Sequence, residues 1–86
     1  MKEIENILKA LANRRRLTIL KLLKNQREVS VGQIAENIRL SFKATSKHLN
    51  ILAKVNLLEK EQRSLTVFYS LSPDLKQFVK SLFNDL

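Results

Sequence analysis

Apolar side chains recur at helical spacing over the first two thirds of the chain, and this pattern predicts four helices. The first is expected over about 2–12 and the second over about 14–24, with Asn13 as the N-cap of the second. Ser30 opens a third helix with a capping box, and Ser41 caps a fourth. The side chains predicted to line the core of this helical part are Leu17, Ile19, Leu20, Leu23, Val29, Val31, Ile34, Ala35, Ile38, Thr45, Leu49 and Leu52.

The hydrophobic period changes to two after Asn56, a residue type that suits the position just beyond a helix end. Segments 57–62 and 65–71 alternate and predict two strands of a hairpin. A Ser-Pro-Asp tripeptide then opens a last helix over about 73–85. The inward strand residues are expected to be Leu58, Val67 and Tyr69. The order α-α-α-α-β-β-α predicts one mostly α domain over 1–86 with a small β-hairpin, the architecture of a winged helix-turn-helix.

The charge of the chain is large and unevenly distributed. Sixteen Lys and Arg against eight acids give a net charge of +8, and the isoelectric point is about 10.2. Residues 1–56 hold twelve bases and four acids, whereas 57–86 hold four of each, and the stretches 9–27 and 37–58 contain bases but no acid. Such an excess indicates a surface that faces a polyanion such as nucleic acid. General solubility is the alternative explanation.

The third and fourth helices are separated by about four residues (38–41), the spacing of a helix-turn-helix, and the hairpin would be its wing. On the fourth helix, four polar side chains lie at i, i+4, i+7 and i+11, opposite the predicted core positions. They are Lys43, Lys47, Asn50 and Lys54. A solvated helix usually mixes charges of both signs, so this acid-free face favours a helix that lies in the DNA major groove. A merely solvated lysine face is the alternative.

Catalytic, metal-binding and membrane functions find little support in the residues. The chain has no cysteine and one histidine, His48, with no carboxylate within one helical turn, so we predict no enzyme, metal site or cofactor. We expect His48 to be partly buried, with a hydrogen bond to the wing or to a phosphate. No apolar run approaches a membrane span, no signal peptide is evident, and Trp is absent, which predicts a cytoplasmic protein that does not bind membranes.

Several segments between residues 8 and 72 resemble motifs of the ArsR/SmtB group of bacterial and archaeal winged-helix repressors. The similar segments are LANRRRLTIL (11–20), SVGQIA (30–35), LS (40–41), SKHL (46–49), Leu52 and FYSL (68–71). The Ser-basic-His-Leu sequence is far less general than a helix-turn-helix pattern, which makes the match fairly specific. The resemblance implies a transcriptional repressor that pairs as a homodimer through its first and last helices.

The sequence departs from the family pattern in three places. Phe42 and Lys43 replace residue types common there, so a base preference does not carry over. Ser64 stands where the wing tip usually has glycine, which predicts a longer and more mobile loop. Metal-sensing members use cysteines or Asp/His pairs, whereas this chain offers only Asp74 and Asp85 around its last helix. We therefore predict a repressor without a metal switch.

These patterns define two sets of candidate site residues. The candidate DNA contacts are Ser41, Phe42, Lys43, Ser46, Lys47, His48, Asn50, Lys54, Arg63, Ser64, Thr66, Arg14 and Arg15. For Arg14–16, phosphate contact and a structural role are equally consistent with the sequence, and Arg16 is the one suited to internal pairing. The candidate dimer interface, with ordinary core packing as its alternative, is Ile4, Ile7, Leu8, Leu11, Leu75, Phe78, Val79, Leu82 and Phe83.

The function predicted from these sets is a homodimeric repressor that binds double-stranded DNA at an inverted-repeat operator, and a small-molecule effector is left open. The alternative from another class is a winged-helix interaction module whose basic face binds an acidic protein. Binding to duplex DNA at low salt distinguishes the two.

Overall fold

The computed structural model describes residues 2–73 of the chain. Four helices and a three-stranded antiparallel sheet with strand order β1-β3-β2 make up this part. The elements are α1 (Lys2–Leu11), α2 (Arg14–Asn25), β1 (Val29–Ser30), α3 (Val31–Ile38), α4 (Phe42–Lys54), β2 (Leu58–Arg63) and β3 (Thr66–Leu71). The winged helix-turn-helix fold is therefore confirmed. Of the predicted last helix over about 73–85, only Pro73 is described, and the interface residues Leu75, Phe78, Val79, Leu82 and Phe83 lie outside the described residues.

Each predicted N-cap has the geometry of a residue at which a helix begins. The side-chain oxygens of Asn13, Ser30 and Ser41 each accept a hydrogen bond from the backbone N–H three residues ahead, at 3.1–3.2 Å. The backbone N–H of Ser30 in turn donates to the side-chain oxygen Oε1 of Gln33 at 3.2 Å, which completes the predicted capping box. These bonds satisfy N–H groups that have no partner inside the helix, so the starts of α2, α3 and α4 are set locally.

The ends of α3 and α4 share one backbone motif. Asn56 has a φ of 62°, and the N–H of Leu57 bonds to the carbonyl of Leu52 at 3.2 Å, as in a Schellman cap. Arg39 ends α3 in the same way with a φ of 56°, although Asn is the better residue type for this conformation. The left-handed residue after each helix reverses the chain, and at Arg39 this reversal forms the turn of the helix-turn-helix.

The core lies between α2, α3, α4 and the sheet. All predicted core positions are buried except Leu17, which is half-buried and packs against the rest. On α1, Ala10 and Leu11 reach this core, whereas Ile4 and Leu8 do not. The inward strand positions are confirmed for Leu58 and Tyr69, which are buried, and for the half-buried Val67, which packs against the core.

Two features of the sheet differ from the prediction. The short strand β1 pairs Val29 with Tyr69 of β3, and two residues are too few to produce a periodic signal. The hairpin loop is shorter than expected, because Arg63 pairs with Thr66 and leaves a two-residue turn. Ser64 adopts a φ of 59° there, so the conformation that favours glycine is taken by serine. The prediction of a longer loop is wrong.

Thr45 is the one polar side chain among the fully buried residues of this core, and within residues 2–73 its Oγ1 has no hydrogen-bond partner. Because an unpaired buried hydroxyl keeps its desolvation cost, Thr45→Val should raise the unfolding free energy by about 1 kcal/mol. Urea denaturation measures the change. Thr18→Val is the matched control, since the Thr18 hydroxyl is exposed and donates to the Arg14 carbonyl. A Thr45→Val variant less stable than wild type would contradict the expectation.

Candidate nucleic-acid interface

Helix α4 separates a buried face from a cationic one. Lys43, Lys47, Asn50 and Lys54 are all exposed, and we call these four residues the recognition face. The opposite side is anchored by three residues with no solvent exposure, among them Leu49. Helix α4 contains no acidic residue. Its rotation about its own axis is therefore set by the core, which directs the cations and the amide outward.

The start of α4 holds the other candidate contacts of this helix. The Ser41 hydroxyl accepts from the N–H of Ala44 at 3.1 Å, and this cap leaves the hydroxyl proton free to bond elsewhere. Phe42 is 63% exposed, although it is a large apolar side chain. Ser46 is half-buried on the side of the helix between the core and the recognition face.

The three arginines that open α2 have different surroundings. Arg15 donates to the carbonyl of Ile38 at the end of α3. Arg16 donates to the carbonyl of Ala10 at the end of α1, at 2.6 Å. Arg14 is exposed on the first turn. Cations are disfavoured at the start of a helix and stabilised at a helix C-terminus. Arg15 and Arg16 lie at the start of α2, but their side chains interact favourably with the C-terminal ends of α3 and α1. These bonds supply the structural role that the sequence allowed for Arg15 and Arg16, and phosphate contact by the three arginines stays a prediction.

His48 lies on α4 next to Arg16. A nitrogen of the Arg16 guanidinium is 3.2 Å from Nδ1 of His48. A guanidinium can only donate, so Nδ1 is the acceptor and His48 is neutral with its proton on Nε2. Partial burial lowers the pKa of His48 below its ordinary value of 6.5, and the charges of Arg16, Arg15 and Lys47 lower it further. The partner of Nδ1 is therefore α2 and not the wing, and a bond from Nε2 of His48 to a phosphate stays a prediction.

The contact predicts that the stability of the protein depends on pH through His48. The folded protein disfavours the charged imidazole more than the unfolded chain does. The contribution of His48 is therefore complete above pH 6.5 and is lost as the pH falls toward the lower folded-state pKa. Thermal melting between about pH 7 and pH 5 should show this loss in wild type. His48→Gln keeps an acceptor for Arg16 but cannot be protonated, and an unchanged pH profile in this variant would contradict the prediction.

The wing carries an arginine that is held by its neighbours. Arg63 forms an ion pair with Glu28, which precedes β1, and a second one at 3.7 Å with Glu61 on its own strand. Its guanidinium also stacks on Phe68, 4.0 Å from the ring centroid. Ser64 is exposed at the turn beside it. The pairing of Arg63 with Glu61 was predictable from the sequence, because residues two apart on a strand share a face. The pairing with Glu28 was not, because Glu28 is 35 residues away in the chain.

Thr66 is exposed at the start of β3, on the other side of the two-residue turn. Arg63 and Thr66 face each other as the last pair of the hairpin. A phosphate contact by Arg63 would exchange one of its carboxylate partners for the phosphate, because both acids compete for the same guanidinium.

Helix α1 exposes part of its apolar stripe. Ile4 is 56% and Leu8 59% exposed, and we call these two residues the α1 strip. The strip lines a shallow cleft of about 400 Å³ together with Lys2 and Glu5. The other two candidates of this helix lie deeper, since Ile7 is half-buried and Leu11 is buried. Neighbouring exposed apolar side chains of this kind are a frequent feature of interfaces.

The described part of the chain offers no site for a metal ion made of three or more His, Cys, Asp or Glu side chains. None of its helices could cross a membrane. The longest, α4, has 13 residues, whereas a span needs about 20.

Comparison with known proteins connects this geometry to one family. The family model described as "Bacterial regulatory protein, arsR family" matches residues 13–60, from the N-cap of α2 into the wing. The chain is 44% identical over 66 residues to the transcriptional activator HlyU of Vibrio cholerae, covering 77% of this chain and 60% of that protein. It is 32% identical over 74 residues to the transcriptional repressor SdpR of Bacillus subtilis, covering 86% and 81%.

A solved structure agrees with the same assignment. The homodimeric winged helix-turn-helix DNA-binding domain of a possible ArsR-family regulator from Mycobacterium bovis superimposes with a TM-score of 0.88 at 29% identity. The match covers 94% of this chain and 75% of that one. The chain spans about three fifths of the length of HlyU, and 64% of the nodulation protein NolR of Rhizobium meliloti. HlyU and SdpR are transcriptional regulators, and this chain belongs to the arsR family of bacterial regulatory proteins.

Proposed function

We propose that the chain is the DNA-binding unit of a homodimeric transcriptional repressor that binds an inverted-repeat operator and does not sense metals. The observation that carries this proposal is the recognition face. Its three lysines and one amide are exposed along one side of a helix whose other side is locked in the core.

The recognition face suits a helix that lies in a major groove. The N-terminal half of such a helix contacts base edges, and the remainder meets phosphates. Lys43 and Lys47 fall in the first half and Lys54 at the end of α4. Lysine bonds the guanine edge, so Lys43 and Lys47 are the proposed base-contacting pair, and Asn50 and Lys54 are the proposed phosphate contacts. The exposed residues Arg14, Ser64 and Thr66 are proposed as contacts with the DNA backbone.

A homodimer is proposed because a single module of this size makes few phosphate contacts. Two copies related by a two-fold axis double the contacts and turn the operator into an inverted repeat. The exposed α1 strip supplies the apolar surface for the pairing. The last helix, with Leu75, Phe78, Val79, Leu82 and Phe83, is proposed as the other half of this interface. The similar Mycobacterium bovis domain is described as homodimeric.

Repression is the proposed direction of control. The names of the relatives include one activator and one repressor. Repression by a DNA-binding dimer needs only that it occupies promoter DNA. Metal sensing is excluded from the proposal because the chain has no cysteine and its single histidine already accepts a bond from Arg16.

Selection of bound sequences from random duplex DNA tests the proposed function. We expect enrichment of an inverted repeat whose half-site centres are about 10–10.5 base pairs apart. Enrichment of a single half-site would contradict the dimer and leave DNA recognition standing. Failure to enrich any duplex at low salt, combined with binding to an acidic protein, would select the protein-interaction alternative.

A further inference from the structure

A cleft of about 330 Å³ opens between the wing tip, the start of α3 and the start of α4. We call it the wing cleft. Its walls include Val31 and Gly32 of α3, Phe42 of α4, and Leu65 and Val67 of the wing. All of its lining residues are uncharged. Its volume is at the small end of the range of about 300–1,000 Å³ typical of clefts that hold ligands.

Two walls of the wing cleft are large apolar side chains that the protein itself leaves uncovered. Leu65 is 96% exposed and Phe42 is 63% exposed. Leu65 occupies the second position of the two-residue hairpin turn, where polar residues and glycine are the usual choices. Packing within the described chain therefore accounts for neither residue, whereas contact with an outside surface would cover both.

Gly32 is the single glycine of the chain. It lies in the first turn of α3, where its φ is not positive, and a Cβ added to it would meet nothing within 4 Å. Glycine weakens a helix relative to alanine, so neither backbone conformation nor internal packing explains it here. A glycine at such an open position also permits close approach of another molecule to the main chain.

We propose that the wing cleft holds the sugar–phosphate strand lying between the major groove entered by α4 and the minor groove approached by the wing. Phe42 and Leu65 pack against deoxyribose, and Gly32 lets the strand approach the main chain of α3. This inference rests on the proposed function. A helix in one groove and a wing in the next leave one strand between them, and the wing cleft lies between those two elements.

The chemistry of the wing cleft fits this occupant. A DNA strand presents apolar sugar carbons between charged phosphates, so it matches uncharged walls with cations at their edges. Lys43 follows Phe42 along α4 and supplies such a cation. Arg63 pairs with the cleft residue Thr66 across the turn, but it already bonds Glu28 and Glu61 and would exchange one of them for a phosphate. A carboxylate in the lining would repel the strand, and the lining contains none.

The test compares three variants on the inverted-repeat duplex recovered by selection. Gly32→Ala fills the cleft floor with one methyl group, and Leu65→Ser removes the apolar wall at the wing tip. Asn37→Ala is the control, because Asn37 is exposed on another side of α3, where it lines a separate cleft with Gln26. Fluorescence anisotropy gives the affinity, thermal melting the stability, and hydroxyl-radical cleavage shows which deoxyriboses are protected.

We expect Gly32→Ala and Leu65→Ser each to weaken binding about tenfold, the size of one lost contact, and Asn37→Ala to bind as wild type. Gly32→Ala should melt at a temperature equal to or above that of wild type, because alanine favours the helix. Both cleft variants should lose protection of the same sugars on the strand between the two grooves.

Three results would overturn the inference. If both cleft variants kept wild-type affinity and protection while Lys47→Ala bound more weakly, the proposed function would stand, and the proposal that a DNA strand lies in the wing cleft would be wrong. A lower melting temperature for Gly32→Ala would give the glycine a structural explanation. A change in the oligomeric mass of Gly32→Ala would assign the cleft to a second copy of the chain. Failure of wild type to bind any duplex would instead refute the proposed function itself.

Discussion

Leu8→Glu should convert the protein from a dimer into a folded monomer and lower operator affinity by about 10²- to 10⁴-fold, the range expected when bivalent binding is lost. Leu8 is 59% exposed in the single chain, so the charge does not disturb its core. In the proposed dimer, the same side chain is buried against the partner, where an unpaired carboxylate is strongly unfavourable. Light scattering reports the mass, and circular dichroism checks that the helices remain.

The control for this prediction introduces the same charge elsewhere. Asn37→Glu alters an exposed residue of α3, so it should leave the mass unchanged. A wild-type mass near the 10.0 kDa of one chain at micromolar concentration would refute the dimer, and with it the inverted-repeat operator. If the Leu8→Glu variant kept the wild-type mass and affinity, the prediction that α1 forms part of the dimer interface would be wrong.

Lys43→Ala and Lys47→Ala should each weaken specific DNA binding, and the combined variant should weaken it most. Removing a lysine that contacts a phosphate should lower the magnitude of the slope of log affinity against log salt concentration by about 0.9. A lysine that contacts a base edge costs about 1–3 kcal/mol and relaxes the preference at one position of the operator. Affinities at several salt concentrations, with operator variants, separate these two contributions.

Lys24→Ala is the matched control for the recognition face. Lys24 lies at the end of α2, where it lines a cleft with Glu59 and Pro73 at the base of the wing, away from the wing tip. It carries the same charge as Lys47 but belongs to another surface. Equal losses from Lys24, Lys43 and Lys47 would mean that only the net charge of the protein matters, and the recognition face would lose its role.

The architecture of α4 follows from the sequence because its signals are local. The cap at Ser41, the buried stripe at Thr45, Leu49 and Leu52, and the helix end before Asn56 all depend on spacings of a few residues. The cap bond and the helical period act within one or two turns, so they operate in any tertiary context. The charged face opposite that stripe was predictable for the same reason.

The partners of the arginines could not be derived in this way. Arg15 bonds a carbonyl 23 residues away, and Arg16 lies against a histidine 32 residues away. Both contacts depend on how α2, α3 and α4 pack against one another. A basic tripeptide gives no sign of this, which is why phosphate contact and a structural role were equally consistent with it. The pKa shift of His48 has the same origin.

By itself, the sequence determined the helices, their caps, the core stripes and the uneven charge of this protein, because hydrophobic periodicity and capping act over short distances. Only the tertiary structure decided the third strand at Val29, the ion pair of Arg63 with Glu28, and the cleft beside Gly32. Each of these depends on segments far apart in the chain, and their relative positions are set by packing around the shared core and not by neighbouring residues.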